Sequence, residues 1–318
     1  MRVDLRLKTM ALSALLLLAA GVAWPQADPS AAQGAARITA LAKDVDLKPG
    51  SEPWVPAQVG TSVDERDGVR TRAQSSAELS FPDGSRLRIG ELSVVLLRAP
   101  GPRLAGVSRS SFEVQEGQAD YEMPVETATP KEVEIRVEGA RVRARPDPNE
   151  TSLLRIRRDA EGTGLVMVFR GAAEVEAGGA TVTVTAGMGT RVPKDGSPIP
   201  PERLLPAPKP WRPVAGARLD HANPKLSWDP VDGASTYTVD VCRDEACGAI
   251  VAHLAGVDEP QAIPEILPLA DLYWRVCAVT GSGLDGLASL PRAMSVGSLW
   301  RKPHPPRRRV LPATEPGS

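Results

Sequence analysis

The chain has 318 residues, and its 38 Lys and Arg residues nearly balance its 39 Asp and Glu residues, which gives a formal net charge of −1. This balance does not indicate a protein that binds nucleic acid. Nucleophile elbows, paired His and Glu motifs and phosphate loops are missing from the sequence. The three histidines are scattered, with no metal-ligand spacing. We therefore expect a non-enzymatic protein with no catalytic residue, no cofactor and no metal site.

The N-terminal segment has the layout of a secretory signal. Basic residues at positions 2, 6 and 8 precede an apolar run of 14 residues at 10–23. A helix that spans a bilayer needs about 20 apolar residues, so the pattern predicts a cleaved signal peptide over 1–23 and no permanent membrane span. No Cys follows the run to carry a lipid anchor. We expect a bacterial protein of the periplasm, the cell surface or the extracellular space.

Apolar residues in the first half of the mature chain follow a period of two, as half-buried strands require. The stretch 132–138 alternates apolar and charged residues, and the phase changes after Gly139, where we expect a bulge or tight bend. Similar apolar spacing surrounds Gly117 and Gly171, which predicts repeated units of strand, glycine turn and strand. Helical spacing occurs only in the apolar run and in the Ala-rich stretch that ends at Ala42.

A proline-rich segment divides the chain. Eight prolines lie between residues 193 and 213, and proline removes ladder hydrogen bonds and favours extended geometry. The composition predicts a semi-rigid linker over 193–213 that sustains neither strand nor helix. Beyond residue 298, basic residues alternate with prolines, which predicts a basic, Pro-rich, disordered tail over 299–318.

Short strand-like segments separated by Gly, Pro and Asp turns follow the linker, and this regularity favours an antiparallel sandwich. They lie at 226–228, 237–242, 250–254, 272–279 and 293–296. The stretch 281–286 has the glycine spacing of dinucleotide-binding loops. Strand-like residues follow it where that motif needs a helix, so we predict a hairpin turn.

The segment 54–97 contains W-V-P-A-Q-V-G, D-E-R-D-G-V-R-T-R and A-E-L-S-F-P-D-G-S-R-L-R-I-G-E-L-S. It resembles the FecR domain of exported bacterial proteins, and less specific motifs continue the similarity over 37–192. The residues that carry the match are Gly60, Asp67, Gly68, Val69, Arg70, Thr71, Asp83, Gly84 and Ser85. The resemblance implies a FecR-like β domain over 37–192.

The segment 226–234, L-S-W-D-P-V-D-G-A, together with Tyr237 and the segment 272–278, L-Y-W-R-V-C-A, resembles a fibronectin type III module. In such a module a buried Trp on an early strand packs against the aromatic start of a late strand. The resemblance implies a fibronectin type III-like sandwich over 214–298. The expected fold class is therefore all-β, with a FecR-like β domain followed by a β-sandwich.

All three cysteines, Cys242, Cys247 and Cys277, follow the linker. An oxidising compartment permits one disulfide and leaves one thiol. Cys242 and Cys247 flank a short turn, whereas Cys242 and Cys277 can meet only across two neighbouring strands. Three buried cysteines that never pair are the remaining alternative.

Six arginines cluster along two candidate strands, and this cluster has two interpretations. It is either an anion-binding face for acidic envelope polymers or a solvated strand face that the acids of 132–138 neutralise. The adjacent acids favour the second interpretation. The arginines are Arg141, Arg143, Arg145, Arg155, Arg157 and Arg158.

Two functions fit these features. The first is a binding or scaffold module whose partner is an envelope polymer or a periplasmic or outer-membrane protein. The second is a periplasmic sensory or regulatory protein of FecR-type signal transduction, like the iron-responsive members that relay a receptor's state to a sigma factor. Direct control of a sigma factor needs a cytoplasmic domain, and fewer than ten residues precede the apolar run. We therefore expect the first function.

Overall fold

The computed structural model describes residues 35–99, 107–125 and 130–297. Every helix or strand assigned in these ranges is a β-strand, which confirms the expected all-β class. None of the three ranges contains a helix that could cross a membrane. The predicted signal peptide and the predicted basic tail lie outside the described residues, so both remain predictions.

The first region, residues 35–204, contains 17 strands. They are β1 Ala36–Ala42, β2 Val45–Lys48, β3 Val55–Pro56, β4 Ser62–Val63, β5 Gly68–Thr71, β6 Ser76–Ser80, β7 Arg86–Ile89, β8 Val94–Leu97, β9 Ser108–Met123, β10 Lys131–Val137, β11 Ala140–Arg145, β12 Ser152–Arg158, β13 Gly164–Arg170, β14 Ala172–Ala177, β15 Ala180–Thr185, β16 Met188–Val192 and β17 Glu202–Arg203.

These strands form two sheets that share β9. Sheet A has the order β4-β1-β6-β7-β9-β12-β13-β16-β17. Sheet B has the order β3-β2-β5-β8-β9-β10-β11-β14-β15. All of these pairs are antiparallel except β9 with β10, which is parallel.

Strand β9 passes from sheet B to sheet A at Gly117. Residues up to Glu116 pair with β8, and residues from Gly117 pair with β12. Gly117 has a φ of +71°, and a Cβ there would lie 2.6 Å from the Leu92 carbonyl oxygen. Only glycine fits this corner. Gly171, with a φ of +84°, makes the equivalent passage between β13 and β14, so both predicted glycine units are corners between sheets.

The two sheets pack face to face around a shared core. Phe112 on the sheet B part of β9 contacts Tyr121 on the sheet A part, with ring centroids 5.3 Å apart, and Phe81 packs on Tyr121 at 5.7 Å. From Glu132 onward, strand β10 points its apolar residues into this core and its charged residues outward. The alternation in the sequence is therefore confirmed as a half-buried strand.

Strand β13 is buried on both of its faces. Val166 and Val168 point into the core of the first region, whereas Leu165 and Met167 pack outward against Leu284, which lies far along the chain. A strand that is buried on both faces needs protein on each side of its sheet. A second layer of protein therefore lies on the outer face of sheet A.

That layer is the second region, residues 210–297, in which a three-stranded sheet packs on a six-stranded sheet. Its strands are β18 Pro210–Arg212, β19 Ala217–Leu219, β20 Leu226–Trp228, β21 Ala234–Cys242, β22 Ile250–Val257, β23 Gln261–Ala262, β24 Asp271–Thr280, β25 Asp285–Ala288 and β26 Arg292–Val296. The small sheet has the order β18-β20-β23. The large sheet has the order β19-β26-β24-β21-β22, and β25 pairs with β24.

Aromatic residues join the two sheets of the second region. Trp228 of the small sheet packs against Trp274 and Tyr237 of the large sheet, with ring centroids 6.4 Å and 5.3 Å away. Both tryptophans are almost fully buried. The predicted packing of an early Trp on a late strand is confirmed, and with it the fibronectin-like sandwich.

Two local features differ from the sequence-based expectations. The Ala-rich stretch that ends at Ala42 forms β1, because pairing with β4 and β6 outweighs the helix preference of alanine. The proline-rich segment is not free of strands, since β17 pairs with β16 and β18 pairs with β20. Its prolines limit these pairings to two or three residues rather than preventing them. The predicted domain limits themselves remain predictions.

The proline-rich segment also lies directly on the second region. The amide of Leu287 on β25 donates a hydrogen bond to the carbonyl of Leu205 at 2.9 Å. Leu204 packs in the same apolar cluster as Leu284. The segment is therefore a packed connection and not a spacer that holds the two regions apart.

Candidate functional site

The FecR-like motif residues mainly hold turns and strand ends of the first region. Asp67 is buried just before β5, and its carboxylate accepts hydrogen bonds from the amides of Gly50 at 2.7 Å and Asp64 at 2.8 Å. A carboxylate that accepts backbone N–H bonds fixes the loops that supply them. Asp67 thus ties the loop after β2 to the turn before β5.

Gly68 and Arg70 lie against Trp54. A Cβ on Gly68 would lie 3.1 Å from the Trp54 ring and 2.8 Å from Leu96, so only glycine leaves room for the indole. The Arg70 guanidinium lies 4.5 Å from the centroid of the Trp54 ring and forms a 2.7 Å ion pair with Asp46. These contacts are stabilising cation–π and charge pairs at the edge of sheet B.

Two further motif residues make backbone contacts between strands. The Thr71 hydroxyl donates a hydrogen bond to the Gly90 carbonyl at 2.5 Å and accepts one from the Ser93 amide at 3.0 Å. The Gly60 amide donates to the Ile38 carbonyl at 2.8 Å, and its φ of +89° favours glycine. Both residues fix the path of the chain at the ends of strands.

The last three motif residues form the turn between β6 and β7. The Asp83 carboxylate accepts a hydrogen bond from the Ser85 amide at 2.8 Å, and Gly84 has a φ of +84°. Such a turn needs a residue that tolerates positive φ and a short side chain that caps the backbone. The motif therefore specifies the scaffold, and none of its residues points to a chemical reaction.

A row of alternating charges crosses the outer face of sheet A. Strands β6, β7, β9 and β12 place Glu78, Arg88, Asp120 and Arg155 side by side in cross-strand register. Arg155 donates two hydrogen bonds to Asp120, from Nε at 2.7 Å and from Nη2 at 2.8 Å. Arg88 pairs with Glu78 at 3.3 Å. The bidentate Arg155–Asp120 pair belongs to the strongest class of ion pairs in proteins.

A second charged row lies on the large sheet of the second region. His253 of β22, Asp240 of β21 and Arg275 of β24 are cross-strand neighbours. Asp240 accepts hydrogen bonds from His253 Nδ1 at 2.7 Å and from Arg275 Nε at 3.0 Å. His253 Nε2 lies 4.0 Å from an oxygen of Glu91 in the first region, so this row reaches the first region.

Asp285 joins the two regions directly. Its side chain is 3% exposed and accepts hydrogen bonds from Arg155 Nη1 at 3.3 Å and from Arg157 Nη1 at 3.0 Å. Arg157 Nη2 donates to the carbonyl of Gly283. The stretch with dinucleotide-like glycine spacing is therefore a hairpin turn, as predicted. This turn brings the Asp285 carboxylate and the Gly283 carbonyl to the interface.

The pKa shifts of these residues keep the interface charged. Burial raises the pKa of Asp240, but the hydrogen bond from His253 and the charge of Arg275 outweigh burial and lower it to about 2. Burial lowers the pKa of His253, but Asp240 and then Glu91 raise it, and the net shift is upward. In the same way, Arg155 outweighs burial and lowers the pKa of Asp120.

A cavity of about 490 Å³ lies between the two charged rows. Arg88, Asp120 and Arg155 line it from the first region, and Asp240 and Arg275 line it from the second. Within the described ranges, no group of His, Cys, Asp and Glu residues is arranged to hold a metal ion. The arrangement can fix the relative position of two β regions and can admit a small polar molecule between them.

The disulfide loop borders the same cavity. The Sγ atoms of Cys242 and Cys247 are bonded, with their Cα atoms 5.0 Å apart. Strand register places Cys242 opposite Tyr273 rather than Cys277, so the cross-strand alternative is not formed. Cys277 is a buried free thiol, and burial followed by the charge of Asp285 raises its pKa to about 12.

The six clustered arginines do not form a single surface. Arg155 and Arg157 lie at the interface, and Arg158 pairs with Glu138 at 2.6 Å. The three arginines of β11 lie on the outer face of sheet B. Acidic side chains of neighbouring strands pair with them, as the neutralised-face interpretation requires. These pairs are Arg141 with Glu134 and Glu176, Arg143 with Glu176, and Arg145 with Glu132.

The charged rows were not foreseen from the sequence. Charged residues that alternate with apolar ones along a strand are normally expected to face solvent. One signal was present, because residues 165–169 form an uninterrupted apolar run where a half-buried strand would alternate. The residues that were missed are Glu78, Arg88, Asp120, Asp240 and Asp285.

The fold defines an all-β protein in which a two-sheet β region is joined to a fibronectin-like sandwich. Residues 67–174 match the family described as FecR protein, which confirms the FecR resemblance for that part of the chain. The FecR family is non-catalytic. No curated protein matches the chain.

Solved structures show weaker likenesses. Two structures of a protein described as an anti-sigma factor from Parabacteroides distasonis are 15% and 16% identical to the chain, with a TM-score of 0.33. Each match covers 43% of this chain and 59% of the other, so the chain spans less than two thirds of that protein. The FN1–FN3 domains of chicken CNTN1 are 12% identical, with a TM-score of 0.25, and the match covers 83% of this chain and 99% of theirs. Such low TM-scores carry no argument about function.

Proposed function

We propose that the chain is an exported, non-enzymatic protein of FecR-type regulation or sensing. The observation that carries this proposal is the FecR match over residues 67–174. The motif residues in that range hold turns and strand ends of the first region. The function then depends on the surfaces that the two β regions present to a partner.

The buried charged interface supports a role in which the two regions act as one body. Asp285 of the second region receives hydrogen bonds from Arg155 and Arg157 of the first. Charged groups that are buried in pairs are costly to separate. A partner that binds the second region therefore changes the position of the first region with it, which is what a sensory protein requires.

Two features support export. The N-terminal sequence has the layout of a signal peptide. The Cys242–Cys247 disulfide is of a kind that persists in oxidising compartments such as the periplasm. Cell fractionation with N-terminal sequencing tests this part. We expect a soluble chain that begins near Trp24, and an intact Met1 in the membrane fraction would contradict export.

The regulatory role is tested by comparing transcription in the wild-type strain, in a deletion strain and in strains that carry point variants. We expect the deletion and Asp285→Ala to change the same set of genes, because both remove the joined body. Asp232→Ala, at an exposed acid of the second region, is the matched control and should leave transcription unchanged. Wild-type transcription in the deletion strain would refute a regulatory role.

The second candidate is a binding or scaffold module for an envelope polymer or an envelope protein. Trp211, which is 51% exposed and lines a pocket together with Arg212 and Lys225, favours this candidate. A scaffold would bind its partner without changing transcription. The same deletion experiment therefore separates the two candidates.

A further inference from the structure

The outer face of the small sheet of the second region carries a shallow pocket of about 320 Å³. Strand register aligns Arg212 of β18, Ser227 of β20 and Gln261 of β23 in one row across the three strands. Trp211 and Lys225 line the same pocket. The pocket shares no lining residue with the cavity at the charged interface, and none of its lining residues belongs to the FecR-like motif.

Ser227 lies in this row as a buried polar residue with an unused hydroxyl. It is 2% exposed, and its Oγ has no hydrogen-bond partner among the described residues. A buried hydroxyl without a partner costs free energy in the unbound protein. A ligand with hydroxyl groups of its own would remove that cost.

The rest of the lining combines an aromatic face with unpaired positive charge. Arg212 lies over the Trp211 ring at 5.6 Å, and neither Arg212 nor Lys225 forms an ion pair within the described ranges. Asp229 supplies one acceptor at the rim. Two basic groups against one acidic group give the pocket an excess of positive charge.

We propose that this pocket binds an acidic glycan, with a sugar ring stacked on Trp211 and a carboxylate facing Arg212 and Lys225. A sugar ring has an apolar C–H face and a polar rim of hydroxyls, which matches an indole beside a row of polar side chains. A peptide that adds a strand would need a free sheet edge, whereas this pocket covers the face of the sheet across all three strands. This proposal gives a chemical class to the envelope partner. It rests on the proposed export of the protein. It does not depend on the proposed regulatory role.

The test is a titration of the purified full-length protein with oligogalacturonate, followed by tryptophan fluorescence and calorimetry. A cello-oligosaccharide of equal length provides the neutral arm, and a proline-rich peptide provides the peptide arm. We expect binding to oligogalacturonate alone, weakening with salt because the charge contacts are exposed. Equal binding of the neutral sugar would overturn the acidic class, and binding of the peptide alone would overturn the glycan.

Variants locate the site. Trp211→Ala should weaken oligogalacturonate binding about tenfold or more, as loss of a central aromatic anchor does, and Trp211→Phe should recover part of it. Val214→Ala is the matched control, because Val214 is 67% exposed and lies outside the pocket lining. Binding that Trp211→Ala leaves unchanged, or no binding of oligogalacturonate at all, would overturn the proposal. Neither result bears on export or transcription, so the two proposals fail separately.

Discussion

Arg157 and Asp285 form a 3.0 Å ion pair although they lie 128 residues apart in the chain. The first belongs to β12 of the FecR-like region, and the second belongs to β25 of the fibronectin-like region. Arg155 approaches the same carboxylate from the neighbouring outward position of β12. One buried acid of the second region thus contacts two arginines of the first, and Arg155 has Asp120 as a second acidic partner.

Asp285→Ala should lower the free energy of unfolding by roughly 3 kcal/mol, because it removes the largely buried acid that Arg155 and Arg157 share. Asp232→Ala, which removes an exposed acid of the same region, should change it by less than about 0.5 kcal/mol. Urea unfolding of both variants provides the measurement. Equal stability of the two variants would show that the Asp285 contacts contribute nothing.

The Asp120–Arg155 pair should show strong coupling. Asp120→Leu alone and Arg155→Met alone should each cost roughly 3 kcal/mol, because the first leaves Arg155 with only its longer contact to Asp285 and the second leaves Asp120 without its bidentate partner. The double variant should recover much of that loss, since an apolar pair removes both charges together. A double-mutant cycle measured by urea unfolding gives the coupling energy, and strictly additive costs would contradict the pairing.

Stability should depend on pH at both ends of the range. Because the pKa of His253 is raised in the folded protein, His253 stabilises the fold fully below the ordinary pKa of 6.5. This stabilisation is lost as pH rises through the folded pKa. The pKa of Asp240, lowered to about 2, means that its contribution is complete above 3.8 and is lost as pH falls toward 2. Unfolding experiments across pH provide the measurement.

The histidine contribution can be separated by substitution. His253→Gln should flatten the loss of stability above pH 6.5, whereas His221→Gln, at a half-exposed side chain of the same region, should keep the wild-type profile. A wild-type profile in His253→Gln would assign the pH dependence to other groups.

Gly117→Ala should destabilise the protein by about 2 to 4 kcal/mol, because its Cβ would collide with the Leu92 carbonyl at 2.6 Å in addition to adopting positive φ. Gly179→Ala is the matched control, since its φ is +77° but nothing lies within 4 Å of a Cβ there. It should cost only about 1 kcal/mol. Thermal or urea unfolding compares them, and equal costs would refute the corner in β9.

The cysteines should react in a fixed order. Without reductant, the folded protein should take up no alkylating reagent, because Cys242 and Cys247 are bonded and burial holds Cys277 as a thiol of high pKa. Denaturation alone should expose one thiol, and denaturation with reductant should expose three. Mass spectrometry counts the added groups. Three alkylated thiols in the denatured, unreduced protein would rule out the disulfide.

The sequence predicted the parts of the fold that depend on local pattern. Alternation predicted β10, and the glycine spacing marked positions 117 and 171, although Gly117 lies within one continuous strand rather than at a turn between two strands. The packing of Trp228 on Trp274 was implied by the resemblance to a fibronectin module. Alternation and glycine positions can be predicted because neighbours in the same stretch of chain decide them.

The charged interface could not be predicted in the same way. It depends on cross-strand register, which places Asp120 between Arg88 and Arg155 although the three lie on separate strands. It also depends on the packing of the second region on sheet A, and the sequence of a single strand does not indicate that packing. The apolar run at 165–169 indicates a strand covered on both faces, but it does not identify what covers it.

A distance measurement between the two β regions shows whether Asp285 holds them as one body. Spin labels can be attached at Thr183→Cys in the first region and at Ile266→Cys in the second, since both positions are exposed. Pulsed electron paramagnetic resonance then measures the distance between the two labels. We expect one narrow distance distribution, which broadens when Asp285→Ala is added. A broad or multiple distribution in the protein that retains Asp285 would contradict this expectation.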